Sequence, residues 1–170
     1  MKQYFALLFV IIFTFTSHAQ KNSKTSETST YYFIRHAEKD RSDKTNRNPH
    51  LTEVGKKRAE HWSQVFTNVK FDVVYSTDYN RTKETAQPTA TKNNLELTLY
   101  SPRKLDGKSF TYDNKGKTVL IVGHRNTTPM FVNALLDEKK YDYIDDNNSG
   151  NLYIVTVIDG KISDQVLTIN

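Results

Sequence analysis

Tyr31-Tyr32-Phe33-Ile34 runs directly into Arg35-His36, and Val119-Leu120-Ile121-Val122 runs directly into Gly123-His124. Neither stretch alternates apolar with polar residues. A short continuous apolar run reads as a strand covered on both faces, as in a parallel sheet flanked by helices. In open sheets of that kind, ligands bind in the crevice beyond the carboxyl ends of the strands. Each of the two strands therefore carries an imidazole to that edge.

Working outward, the first strand leads through a polar loop to a helix predicted from Thr52, a plausible N-cap, to about Phe66, with Val54, Trp62, Val65 and Phe66 broadly on one side. Phe71–Tyr75 is the next strand, and a helix should follow from about Tyr79 to Lys92, then a short extended piece at Leu95–Leu99. Ser101 to Lys117 is polar with two glycines and reads as loop with one short turn. Strand Thr118–Val122 precedes a helix from about Thr128 to Leu136, with Pro129 in its first turn. Two extended runs, 151–158 and 162–169, flank Asp159-Gly160, a two-residue hairpin signal. The order predicts an α/β three-layer sandwich with a mostly parallel central sheet and a C-terminal antiparallel hairpin.

The chain of 170 residues, 36% apolar, has room for one domain with a real core. Residues 1–19 read as a signal peptide: Lys2 is the positive start, Ala6 to Phe15 the apolar stretch, and Ser17-His18-Ala19 the small-x-small cleavage pattern. The apolar run is short for a bilayer span, which takes about 20 residues. Residues 20–30 lack any large apolar side chain and read as a disordered spacer before a domain at 31–170. These features predict a periplasmic or secreted protein without stable membrane association once the signal is removed. With no cysteine there is no disulfide, thiolate metal site or cysteine nucleophile. A formal charge of +5 on scattered lysines and arginines suits a small anionic substrate and falls short of a nucleic-acid footprint.

At the exit of the first strand stand Arg35 and His36, and at the third Gly123 and His124. The second delivers Ser76-Thr77-Asp78 and then Arg81 in the opening turn of a helix. If these strands are neighbours, two arginines, two histidines and a helix N-terminus converge. Arginine presents a rigid fork of donors matched to phosphate oxygens, and a helix N-terminus adds unpaired N–H groups. A neutral imidazole among them could attack phosphorus in line and form a phosphohistidine. Asn126 and Thr127, after His124, either donate to the substrate or cap the following helix.

Four blocks carry a resemblance: Arg35-His36-Ala37-Glu38-Lys39, Leu51-Thr52-Glu53-Val54-Gly55, Ser76-Thr77 with Arg81 to Ala86, and Val122-Gly123-His124-Arg125-Asn126-Thr127. In this order they resemble the histidine phosphatase superfamily (phosphoglycerate mutase-like), particularly its short bacterial members. The resemblance implies His36 as the phosphorylated nucleophile, Arg35 and Arg81 as phosphate clamps, and His124 as the second histidine on the phosphoryl group. It implies no metal and no organic cofactor. Asp106 occupies roughly the region where longer members carry the acid that protonates the leaving oxygen, while Glu38 reads as a loop ion pair and Glu84 as a helix-surface charge.

The resulting expectation is an exported phosphomonoester hydrolase acting on a small phosphorylated substrate through His36. Two alternatives stand beside it: a non-catalytic phospholigand-binding module of the same fold, and a protein phosphohistidine phosphatase.

Overall fold

The computed structural model describes residues 27–169; the signal-peptide reading of 1–19 and most of the spacer lie outside them. Six strands, β1 (Thr28–Arg35), β2 (Val73–Thr77), β3 (Leu97–Tyr100), β4 (Thr118–Gly123), β5 (Asn151–Ile158) and β6 (Lys161–Thr168), form one sheet in the order β3-β2-β4-β1-β5-β6. β3, β2, β4 and β1 are parallel, and β5 and β6 add antiparallel to the β1 side. The hairpin turns on Asp159 and Gly160 with φ of 49° and 81°, the positive values a tight two-residue hairpin loop requires.

The unbroken apolar run of β1 has the predicted cause. Tyr31 and Phe33 enter a core with Val119, Ile121, Phe131 and Val155, while Ile34 points the other way into one with Trp62, Phe66, Val74 and Leu120. Helices α1 (Glu53–Val65) and α2 (Asn80–Lys92) cover the second face; α3 (Gly107–Asp113) and α4 (Thr127–Leu136) cover the first. The three layers are those expected.

Three local readings change. β1 starts at Thr28, inside the stretch read as spacer, because Thr28, Ser29 and Thr30 pair with Ile158, Val157 and Thr156. The buried stripe of α1 is Gly55, Ala59, Trp62 and Ser63, leaving Val54 exposed and Val65 at the margin. The segment 101–117 holds a 3-10 turn at Pro102–Lys104 and a full helix, α3, in place of plain loop. Thr52 does cap α1, accepting from Gly55 N–H at 3.0 Å. Gly55 is needed for close approach, since a Cβ there would lie 2.2 Å from the Glu38 carbonyl oxygen, just past His36. Among the described residues no helix is long and apolar enough to cross a membrane.

Candidate active site

β2, β4 and β1 are adjacent, so their carboxyl ends open on one crevice of about 750 Å³. The register sets Arg35 level with Gly123, and His36 N–H donates to the Gly123 carbonyl at 2.9 Å. This brings the two imidazoles side by side, their centroids 5.4 Å apart and their planes near perpendicular. Gly123 makes room for the turn: a Cβ there would meet Thr128 Oγ1 at 2.7 Å and the Tyr100 hydroxyl at 3.0 Å.

His36 is 5% exposed, and its Nδ1 lies 2.7 Å from the Ala37 carbonyl. A carbonyl only accepts, so Nδ1 carries the proton and Nε2 keeps its lone pair. Burial pushes the His36 pKa down to about 3 against that hydrogen bond, helped by the charges of His124, Arg35 and Arg81. The ring is therefore neutral at ordinary pH, with the Nε2 lone pair free. His124 falls to about 4, from burial first and then Arg81, Lys39 and Arg35. Its Nε2 sits 3.0 Å from Thr77 Oγ1, which meets Thr82 Oγ1 at 2.9 Å. Thr82 donates to backbone carbonyls, so Thr77 donates to Thr82 and accepts from His124 Nε2–H.

Arg35 is 3% exposed and firmly bound. Its Nη1 reaches the carbonyls of Asp145, Asp146 and Asn148, each at 2.9 Å, and Nη2 reaches Asp146 Oδ1 at 2.8 Å; Nε has no partner. Arg81, 9% exposed, stacks 4.4 Å over the Tyr79 ring, and its buried Nε and Nη1 have no partner. The same tyrosine ring meets His124 at 5.0 Å, edge to face. A buried guanidinium with unsatisfied donors is costly unless an anion completes it. Arg35, His36, Arg81, His124 and Asn126 all line the crevice. Asn126 stands at the N-terminus of α4 without a side-chain capping bond, whereas Thr127 Oγ1 accepts from His124 N–H.

Asp106 is not among them. It caps the unforeseen α3, accepting from Lys108 N–H at 3.1 Å, and faces a separate hollow beside Tyr100 and Phe110. Glu38 is paired with Arg58 at 2.7 Å, the loop ion pair expected, whereas Glu84 is half-buried and ties its helix to the loop through His50 and the Leu51 N–H. Asp146 is the one carboxylate lining the crevice among the described residues, and it is committed to Arg35 and Arg41, each at 2.8 Å. Sequence reasoning assigned no role to Lys39, Tyr79, Arg103 and Arg125, which also line it. Tyr79 and Arg125 were within reach of inspection, since each is next or next but one to an assigned residue.

Residues 31–101 match the model of the histidine phosphatase superfamily (branch 1), a span that includes Arg35, His36 and Arg81. No curated protein sequence matches the chain. Several solved structures are similar in fold. Bacillus stearothermophilus YhfR has a TM-score of 0.65 at 17% identity, over 84% of this chain and 98% of its own. A phosphoserine phosphatase from Entamoeba histolytica, solved with 3-phosphoglyceric acid, has 0.63 at 18% over 84% and 98%. The protein histidine phosphatase SixA, complexed with tungstate, has 0.63 at 14% over 82% and 96%. Residues 31–101 thus carry the sequence pattern of the histidine phosphatase superfamily (branch 1), and the described domain shares the fold of these solved structures.

Proposed function

We propose that this protein is a phosphomonoester hydrolase working through a phosphohistidine at His36. One observation carries the reading: a neutral imidazole with a free Nε2 lines the same crevice as two buried arginines, one of which has two unpartnered donors. His36 Nε2 attacks phosphorus while the bond to the leaving oxygen breaks. Arg81, the free Nε of Arg35 and His124 neutralise charge on the equatorial oxygens. A bound dianion opposes the arginines' effect on His124 and lets it take up a proton at Nδ1, facing the anion as a donor. Water then attacks the phosphohistidine, the N–P bond breaks, and phosphate and neutral His36 return.

No uncommitted carboxylate lines the crevice among the described residues, so the leaving group takes its proton from solvent. This favours leaving groups that depart readily, and the imidazole of a phosphohistidine is one, which keeps a phosphohistidine phosphatase as the second reading. The mechanism draws nucleophile and charge from side chains and requires no cofactor. Export through residues 1–19 belongs to the same proposal and rests on their sequence pattern.

The test is hydrolysis of para-nitrophenyl phosphate, whose leaving group needs little protonation. Wild-type protein should turn it over and His36→Ala should not, and an acid-labile phosphoryl group should be trapped on His36 and never on His124. Wild-type rates in His36→Ala would defeat the mechanism; phosphate binding without turnover of any ester would favour the binding-module alternative. Export is checked separately by the N-terminus of protein from the periplasm or medium, expected at Gln20.

A further inference from the structure

No described carboxylate or carbonyl accepts from the buried Nε and Nη1 of Arg81, so hydrogen bonds do not aim that fork. What lies against the guanidinium is the ring of Tyr79, whose centroid is 4.4 Å from Arg81 Cζ. An aromatic face attracts a cation through its quadrupole and occupies none of its N–H donors. A carboxylate would hold the same fork but use its donors and offset its charge, as Asp146 does for Arg35.

Helix capping and core packing both leave a tyrosine at this position unexplained. Residue 79 is the N-cap of α2, where Ser, Thr, Asp or Asn would accept a helix N–H, and Tyr79 makes no such side-chain bond. Its side chain is 38% exposed, so the core does not call for it. The ring instead meets two side chains that line the crevice: Arg81, and His124, whose imidazole stands perpendicular to it at 5.0 Å. The backbone under the ring is fixed, since Tyr79 N–H donates to the Thr77 carbonyl at 2.8 Å and the Tyr79 carbonyl accepts from Lys83 N–H at 3.0 Å. Thr77 also holds His124 Nε2 at 3.0 Å. The exit of β2 therefore grips that imidazole at one nitrogen through Thr77 and against its ring through Tyr79.

Resting on the phosphatase reading, we propose that Tyr79 is a positioning residue for phosphoryl transfer: its ring aims Arg81 and backs His124, and leaves the Arg81 donors open to the phosphoryl oxygens. Tyr79 acts through these two side chains, and its hydroxyl plays no part.

The test is Tyr79→Leu, which removes the aromatic face and keeps an apolar side chain at a partly exposed site. It should lower kcat/KM for para-nitrophenyl phosphate by about tenfold, the scale of one desolvated cation–π contact, with little change in Tm. Tyr79→Phe keeps the ring and should restore most of the rate. In an Arg81→Ala background the same Tyr79→Leu change should cost about threefold or less, because the main group it holds is gone. Losses that multiply, or a Phe variant as poor as Leu, overturn the inference. Two further arms are independent of turnover. Calorimetric affinity for inorganic phosphate should fall about tenfold in Tyr79→Leu and hold in Tyr79→Phe. The His124 titration midpoint by NMR should rise in Tyr79→Leu, since burial and then Arg81 hold it down. An unchanged phosphate affinity overturns the hold on Arg81, and an unmoved midpoint overturns the hold on His124. Wild-type protein that hydrolyses no ester yet shows both effects would sink the phosphatase reading and leave Tyr79 as the support of an anion site.

Discussion

The two walls of the crevice hold the same side chain in opposite bonding states. On the β1 wall, Arg35 is fastened to three carbonyls and to Asp146 before any ligand arrives. On the α2 wall, Arg81 rests on Tyr79 with Nε and Nη1 buried and unpaired. The first arginine is as much a structural tie as a clamp; the second is held ready for an anion. Burial alone does not separate these roles. What separates them is whether the donors are already used.

That contrast can be broken by experiment, and the largest effect should fall on the free arginine. Arg81→Ala should lower kcat/KM for para-nitrophenyl phosphate by roughly 10²- to 10³-fold, measured in steady state, with no fall in Tm because no protein partner is stranded. Equal loss of Tm in Arg81→Ala and Arg35→Ala would erase the distinction. Arg35→Ala should cost about 3 kcal/mol in urea unfolding, since a buried charge network loses its donor. Arg35→Lys should recover little of it, because an ammonium cannot reproduce the fork.

A third prediction concerns the imidazoles between the walls. Unfolded histidines take up protons near pH 6.5, whereas folded His124 and His36 resist until about pH 4 and 3. The unfolded chain thus binds more protons in that window, so stability is complete above pH 6.5 and falls as pH drops toward 4. Calorimetric Tm at pH 7 and pH 5 should show the fall. Arg81→Ala should soften it and raise the His124 titration midpoint by NMR, because Arg81 is the largest charge acting on that ring after burial. The smallest effect is reserved for Asp106→Ala, which should lose about 1 kcal/mol of stability as a cap and leave alkyl phosphate turnover within about twofold. A collapse of that turnover alone would return Asp106 to the chemistry.

Much of this was legible in the chain. β1 and β4 announce themselves because both faces are covered, and a covered strand cannot hide its apolar run. Their exits fix His36 and His124, and the capped start of α1 follows from Thr52. Helix α3 was not legible: with seven residues it has too few turns for a repeat, and it is secured by the Asp106 cap, by close packing of Gly107 against the Ala134 carbonyl and by Phe110 against Phe131. Missing that helix is what made Asp106 look available. Arg35 could be set at the strand exit, yet its bonding could not be read, because its partners are three backbone carbonyls and the Asp146 carboxylate, all more than a hundred residues away. Arg103 and Arg125 needed the strand order before they could be placed at the crevice.

The tie between Arg35 and residues 145–148 also sets a timetable for the growing chain. β1 is made first but lies between β4 and β5, and its terminal arginine is fastened by carbonyls made just before β5. His36, next to that arginine, is synthesised early and held in place only after most of the sequence has emerged. Completion of the crevice is thereby a late event in the birth of the molecule, and a nascent chain halted before Asn148 would carry both histidines without the brace that steadies them.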